Sequence, residues 1–442
     1  MLNKLDRDFG FWGLLRFALP SIVMMVFMSL YTVVDGFFIA RFVGPDALSA
    51  TNIIYPVINV VLAAGIMLAT GGSALVARRM GEGDERGARE SFTFLMICGA
   101  GIGVAFALVG LFLPEPLSRL LGASDRLIVY SVDYLRILLL FAPAYMLQLM
   151  FQSFFVAAGK PGLGLVLTVG AGIANGVLDY VFIVPLGMGI QGAALATVTG
   201  YLVPAVYGVF FFLLRRKGLR FTRPKVDWRM LGKSCFNGSS EMVTNLANGV
   251  ITFLFNALML RMLGEDGVAA ITIVLYAQFL LTALYMGFSM GVAPVISFNH
   301  GAERFDRLRR TFRYCMIVVA ASSAAVFAFA LAASGAIVSI FSPEGTTVYE
   351  LARHGFLRFC PAFLFAGFNM FASALFTAFS DGKTSAIISF ARTFAFILLG
   401  LLFLPRLMGV DGVWSAVPFA EICAAALSAL FLWGKRQAYH YA

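Results

Sequence analysis

The chain has 442 residues, of which 60% are hydrophobic, 14% aromatic and only 13% charged, with a mean hydropathy of +0.88. Soluble domains carry about 25% charged residues, so a chain with half that supply has too few to cover a soluble surface and reads as an integral membrane protein. The formal charge of +10 does not call for nucleic acid, because polytopic proteins concentrate Lys and Arg in their cytoplasmic loops.

A helix needs roughly 20 apolar residues to cross a core of about 30 Å. In chain order the apolar runs predict spans near 12–38, 50–77, 92–113, 133–157, 162–185 and 190–214. After a basic stretch come spans near 234–260, 268–297, 312–341, 355–379, 384–404 and 411–433. The predicted fold is therefore an all-α polytopic membrane protein with twelve transmembrane helices, in two pseudo-symmetric six-helix lobes around a central cleft. The N-lobe takes residues 1–214, a cytoplasmic linker 215–233 and the C-lobe 234–442. A transmembrane barrel would need short segments alternating polar and apolar residues, and these runs do not alternate. No stretch outside the spans is long enough for a soluble catalytic domain, which counts against most enzyme classes.

The first apolar run extends past signal-peptide length with no cleavage pattern, so it is expected to stay as the first helix. Placing both termini in the cytoplasm puts Arg78, Arg79, Arg215, Arg216, Lys217, Arg304, Arg307 and Lys435 inside, as the positive-inside rule requires. Cys98, Cys235, Cys315, Cys360 and Cys423 lie in or beside apolar runs without a CxxC spacing, and read as small buried hydrophobes.

Sliding one half along the other by 220 positions superposes Arg41 on Arg261, Gly44 on Gly264, Asp46 on Asp266, Gly71 on Gly291 and Gly81 on Gly301. The same offset pairs Pro185 with Pro405, Gly189 with Gly409 and Gly192 with Gly412. One offset that holds from the first loop to the last marks a six-helix repeat. Six is even, so both copies share one orientation in the membrane. Two such lobes around a cleft make a transporter the default expectation.

Charges in mid-membrane cost about 2.5–3.5 kcal/mol on insertion scales and usually face a cavity or a partner. Asp35 in span 1, Asp179 in span 5 and Thr197 in span 6 all fall at similar depth. Asn175 precedes Asp179 by one helical turn and shares its face. Together they read as a cation or proton site; the plainer alternative is a hydrogen-bonded cluster gluing helices. In span 7, Glu241, Asn245, Asn248, Thr252 and Asn256 fall on one narrow stripe, expected to line water or the cleft. Glu421 in span 12 reads as a third, isolated acid near the midplane. Met28, Met150 and Tyr31, with Met24, Met25, Met146, Met286, Met290, Phe154 and Tyr276, offer a soft apolar wall for varied substrates. The substrate cleft is thus expected to involve Glu241, Asn245, Asn248, Tyr31, Met28, Met150 and Glu421. The GxxxG pairs Gly99/Gly103 and Gly172/Gly176 suggest close helix packing, and Pro20 a kink in span 1. Gly382-Lys383-Thr384 lacks the first glycine of a phosphate loop, because position 377 is Thr. His300, His354 and His440 are scattered, so no catalytic metal site is expected.

These residues resemble the multidrug and toxic compound extrusion (MATE) family, in its prokaryotic MepA-like branch. The likeness is carried by Ala18-Leu19-Pro20-Ser21, Tyr31-Thr32-Val33-Val34-Asp35, Arg41-Phe42-Val43-Gly44, Gly71-Gly72-Ser73, Met80-Gly81-Glu82-Gly83-Asp84, Ala158-Gly159-Lys160-Pro161, Asn175 with Leu178-Asp179, and Gly192-Ala193-Ala194-Leu195-Ala196-Thr197. It covers nearly the whole chain. The resemblance implies efflux of varied, often cationic amphipathic compounds in exchange for H⁺ or Na⁺, with no cofactor and no obligatory protein partner. It assigns Asp35, Asn175 and Asp179, with Thr197 beside them, to the N-lobe cation site. It makes Pro20 the bending proline, and it offers Glu241 for the span 7 acid that some members use. Span 10 carries no acid, unlike a different branch. A monomer in the cell membrane exporting small drug-like molecules is the expectation. The alternative, a flippase of a lipid-linked precursor, would need a cleft lined with Arg for pyrophosphate, for which Arg136, Arg353, Arg358 and Arg392 are the candidates.

Overall fold

The computed structural model describes the backbone of residues 4–442, and side chains except those of residues 4, 32–37, 40 and 45. Among the described residues all regular secondary structure is helical. The first half holds α1 (Phe11–Phe38), α2 (Pro45–Gly81) and α3 (Glu85–Phe112). The bent pair Ile128–Leu140 and Ala142–Ala157 forms α4, followed by α5 (Pro161–Ile183) and α6 (Gly189–Leu214). Helices α7 and α8 share the stretch Trp228–Gly301, divided where Gly264 leaves helical geometry at φ 71°, ψ −155°. Next come α9 (Phe305–Ala332), α10 (the bent pair Thr347–Phe359 and Ala362–Ala378), α11 (Gly382–Met408) and α12 (Val410–Tyr439).

Among the described residues nine helical stretches, or eleven with each bent pair as one span, are long and apolar enough to cross a membrane. The break at Gly264 divides one of them and brings the number to twelve. Span 4, expected as one helix, bends by 56°, and span 10 by 55°. Each bend falls where a proline, Pro143 or Pro361, removes a backbone donor and crowds the preceding turn.

The helix ends obey the 220-residue offset: α3 and α9 match at both termini, and the second parts of α4 and α10 both start on the matching alanines Ala142 and Ala362. Two repeated glycine pairs have a conformational reason. Gly44 and Gly264 carry φ of 126° and 71°, and Gly189 and Gly409 carry 56° and 61°. At these turns a side chain would be strained, so glycine recurs in both copies.

Three apolar cores hold the helices. The first lies mainly in the first half, around Phe92, Phe151, Phe154, Phe155 and Phe212, and takes in Leu219 of the linker and Met230 at the start of α7. The second gathers Trp414, Phe356, Phe359 and Phe363 in the second half. The third joins Leu5, Leu14 and Ala18, at the start of the chain, to Phe288, Val292 and Phe376 of α8 and α10. Helix α1 therefore begins in the core of the second half and runs unbroken through Pro20 into the first.

The halves meet closely at one end. This end carries the loops at 82–84 and 302–304, the Arg215–Asp227 linker and the two chain termini, and is rich in Lys and Arg; it is called the basic end below. There α2 crosses α8 so tightly that a Cβ on Gly81 would stand 2.1 Å from the Phe298 carbonyl oxygen, and one on Gly301 2.2 Å from that of Arg78. Gly71 packs on Ser234 and Gly238 of α7, and its mate Gly291 on Ala18 of α1. At the opposite end, the described ion pairs join residues of the same half: Arg126 with Asp46, and Arg358 and His354 with Asp411. The closest described approaches of backbone to backbone between the halves thus lie toward the basic end.

Candidate functional site

Helices α1, α4, α5 and α6 enclose a polar cavity in the first half, lined by Tyr31, Gln148, Thr168, Gly172, Asn175, Thr197 and Tyr201. Its volume of about 10 Å³ suits about one water molecule. Asn175 is 5% exposed, and its Nδ2 has no hydrogen-bond partner among the described residues; the same holds for Gln148 Oε1. An amide donor and an amide acceptor are thus held unsatisfied at one small cavity, a costly arrangement that a bound water would relieve for both and a bound cation for the Gln148 oxygen. Thr197 Oγ1 donates to the Ala193 carbonyl at 3.0 Å, leaving its lone pairs to the cavity. Asp179 is fully buried one turn further along α5. The side chain of Asp35 lies outside the described residues.

Neighbouring amides tie the cavity walls together. Gln152 Nε2 donates to Thr168 Oγ1 at 3.3 Å and reaches Met28 Sδ at 3.6 Å, linking α4 to α5 and α1. Gln148, Gln152 and Thr168 were not singled out from the sequence. The signal was available, because two glutamines four residues apart in an otherwise apolar span must share one face.

Tyr31 also lines a larger groove between α1 and α5, with Phe27, Leu30, Ile173, Gly176 and Tyr180. Its volume of about 500 Å³ falls in the range of small-molecule pockets. Of the expected GxxxG contacts, Gly99 and Gly103 pack against Met150 and Pro143, and Gly172 against Phe27. Gly176 instead faces open space in this groove.

In the second half the polar stripe of α7 is graded. Glu241, Asn245 and Asn256 are half-buried, whereas Asn248 and Thr252 are exposed. Asn245 Nδ2 donates to the Glu241 carbonyl at 2.8 Å, which spends one of its donors within the helix.

Two expectations need correction. Met150 does not line a cleft: it is fully buried in the first core, with its sulfur against Gly99. Glu421 is neither isolated nor open to a cleft. It is 3% exposed, and its Oε1 accepts from Arg392 Nε at 2.8 Å. Asn369 Nδ2 donates to its Oε2 at 2.7 Å, and Ser428 Oγ donates to Asn369 Oδ1 at 3.1 Å. Arg392 lies on another span, 29 residues away in sequence, so no local spacing revealed the pair. The other arginines weighed for a pyrophosphate cleft, Arg136, Arg353 and Arg358, are exposed, and Arg358 pairs with Asp411.

The family model for MatE matches residues 20–210 and 242–402, one block in each half of the chain. The chain belongs to the MatE family. Its curated MatE relatives include Multidrug export protein MepA of Staphylococcus haemolyticus, 24% identical over 418 residues, covering 94% of this chain and 91% of that protein. MepA of Staphylococcus aureus is 21% identical over 430 residues, covering 96% and 94%. Among solved structures, an outward-facing multidrug resistance MATE family transporter of the MOP superfamily superposes with a TM-score of 0.89 at 23% identity, covering 96% of this chain and 95% of that one. A MOP superfamily transporter from Pyrococcus furiosus, described as having a binding pocket of reversed polarity, gives 0.88 at 23% identity, again covering 96% and 95%. The fold is thus that of MATE transporters: an all-α, multi-pass membrane protein of a transporter family, not an enzyme.

Proposed function

We propose that this protein is a secondary antiporter that exports varied, often cationic amphipathic molecules from the cell in exchange for H⁺ or Na⁺. The polar cavity at Asn175, Thr197 and Gln148 carries this reading, since the unsatisfied Gln148 oxygen and the Thr197 hydroxyl oxygen at a water-sized space suit a small exchangeable cation. The MepA relatives, named for multidrug export, support the cargo class. The protein sits in the cell membrane as a monomer, with the basic end in the cytoplasm.

The halves 1–214 and 234–442 act as two lobes, joined by the 215–233 linker. A cation enters from outside and binds near Asp35, Asn175, Asp179 and Thr197, neutralising buried negative charge. The loaded N-lobe favours separation of the basic end. A substrate entering from the cytoplasm, drawn by Glu241 and the stripe at Asn245 and Asn248, then favours return, and the cation leaves inside. Each net charge moved inward across about 100 mV supplies roughly 2.3 kcal/mol, about fiftyfold in concentration. Sodium asks for several oxygen ligands, which Asp35, Asn175, Asp179 and Thr197 can supply; a proton needs one carboxylate.

Purified protein in ethidium-loaded liposomes, given either a pH gradient or a sodium gradient, tests the reading. Efflux driven by one gradient in wild type and abolished in Asp35→Asn is the expected result. Full gradient-driven efflux by Asp35→Asn would overturn the cation site, and no efflux under either gradient would overturn the cargo.

A further inference from the structure

The 220-residue offset maps the first half's polar cavity onto a different constellation in the second. Gly172 and Tyr201, which line the cavity, fall on Arg392 and Glu421. Gln148, the α4 amide with an unsatisfied oxygen, falls on position 368, next to Asn369, the α10 amide that holds Glu421. Where the first half has a space for a water-sized guest, the second has a guanidinium, a carboxylate and an amide already bonded to one another. Both Glu421 oxygens are satisfied at 2.7–2.8 Å, and the Arg392 and Glu421 side chains are 12% and 4% exposed.

Three features set this pair apart from an incidental ion pair. It lies about ten residues into α11 and eleven into α12, roughly 15 Å from the nearer helix ends, where an unpaired charge is most costly. The backbone around Arg392 departs from α geometry into a π turn over Ala391–Ala395, a local deformation often kept for function. Its repeat mate in α5 has none. Glu241 of α7 also lies within electrostatic reach of Arg392.

We propose that Arg392 is a tethered cation: its guanidinium permanently fills, in the second half, the position that in the first half admits a free coupling ion. The two halves are alike in fold and unlike in exchange. The first loads and unloads an ion in each cycle, while the second stays neutralised from within, so coupling runs through one site. This inference rests on the cation-coupled reading above, and its test separates the two.

Arg392→Gly restores the residue found at the matching first-half position and leaves a cavity the size of the lost head group. The expected result is loss of most ethidium efflux in liposomes, restored in a dose-dependent way by millimolar guanidinium but not by isosteric, neutral urea. In the same variant, guanidinium raises the unfolding temperature by several degrees through mass action, a shift that urea and sodium chloride do not produce and wild type does not show. This thermal readout is independent of transport. If wild type exports no ethidium, the efflux reading fails, yet the thermal shift still decides for or against the tethered cation. Where Arg392→Gly does not fold, the doubly neutral Arg392→Gln/Glu421→Gln decides: efflux with the wild-type ratio of coupling ion to ethidium supports the proposal. A folded Arg392→Gly with full efflux and no guanidinium response overturns it, as does a changed coupling ratio in the double variant.

Discussion

Gly81 and Gly301 sit on either side of one pseudo-two-fold crossing: each presses its Cα against the backbone of the other's helix, at Phe298 and Arg78, which are themselves mates under the 220-residue offset. The repeat legible in the sequence is thus also the crossing at the basic end. Only glycine permits this approach, since a Cβ at either position would stand 2.1–2.2 Å from a carbonyl oxygen.

Replacing Gly81 with Val is expected to force the α2–α8 crossing apart. Overpacking of this kind costs about 1–3 kcal/mol, enough to shift a two-state equilibrium toward separation of the basic end. Hydrogen exchange should show faster amide exchange in the loops at 82–84 and 302–304 in Gly81→Val and in its mate Gly301→Val. Gly101→Ala, where a Cβ meets nothing within 4 Å, is the control and should leave exchange unchanged. Equal protection in all three proteins would mean that the crossing does not gate the basic end.

Met150 and Asn248, both expected at the cleft, now separate into different predictions. Met150 is fully buried, so Met150→Ala should cost about 2–5 kcal/mol of stability and lower the unfolding temperature. Its effect on ethidium affinity should track that loss and not exceed it. Asn248 is exposed on α7, so Asn248→Leu should leave the unfolding temperature within a degree or so while changing the apparent affinity for cationic substrates. The reverse pattern would return Met150 to the cleft.

Much of this architecture was legible because membrane helices advertise themselves. The apolar runs, the paired turn glycines and the constant offset determine twelve spans in two copies before any coordinate is known. Asn175 and Thr197 were found because polar groups stand out in apolar helices, and they do line one cavity. Three things were not legible. Pro143 and Pro361 each bend a span, but hydropathy is blind to direction. Met150 sits beside Gly99 and not in a cleft, because a methionine side chain carries no mark of which face is core. Arg392 and Glu421 find each other across spans, and only the offset, applied to the charges as well as the glycines, would have placed them together.

Asp381 gives a pH-dependent prediction. It caps the start of α11, accepting from the Thr384 backbone N–H at 3.2 Å and hydroxyl at 2.7 Å. It also pairs with Lys435 Nζ at 2.5 Å and accepts from Tyr439 Oη at 3.0 Å, tying down the end of α12. Burial works against its charge, but the bonds from Lys435, Thr384 and Tyr439 outweigh that and hold the carboxyl below its ordinary value. A carboxyl depressed in the folded state contributes stability that is present above its unfolded pKa and lost as pH falls through the folded one. Asp381→Asn keeps a capping oxygen but loses the charge that holds Lys435, and should therefore destabilise the protein at neutral pH. The gap to wild type should narrow as the medium is acidified below the usual carboxylate range. Thermal unfolding across that range checks this, and a gap that does not depend on pH would show that Asp381 acts by shape and not by charge.

The start of the chain makes the last prediction. Leu5 is buried in the second-half core, Asp6 is ion-paired with Arg304, and its carbonyl accepts from Arg307 Nη1 at 2.9 Å. Asp8 pairs with Arg310 at 2.9 Å. The lead-in to α1, a first-half helix, is thus strapped beneath α9 of the second half, and the strap lies beside the crossing that would part in the proposed opening of the basic end. Partly exposed pairs contribute only about 0–1 kcal/mol each and weaken with salt, so they suit a contact that forms and breaks repeatedly. Asp6→Asn/Asp8→Asn should leave the unfolding temperature nearly unchanged but speed amide exchange over the strap and the first turn of α9. Added salt should bring wild type toward the variant and leave the variant itself unmoved. If salt loosens both proteins equally, the strap is held by Leu5 and the core beneath it, and its charges have no part in the gate.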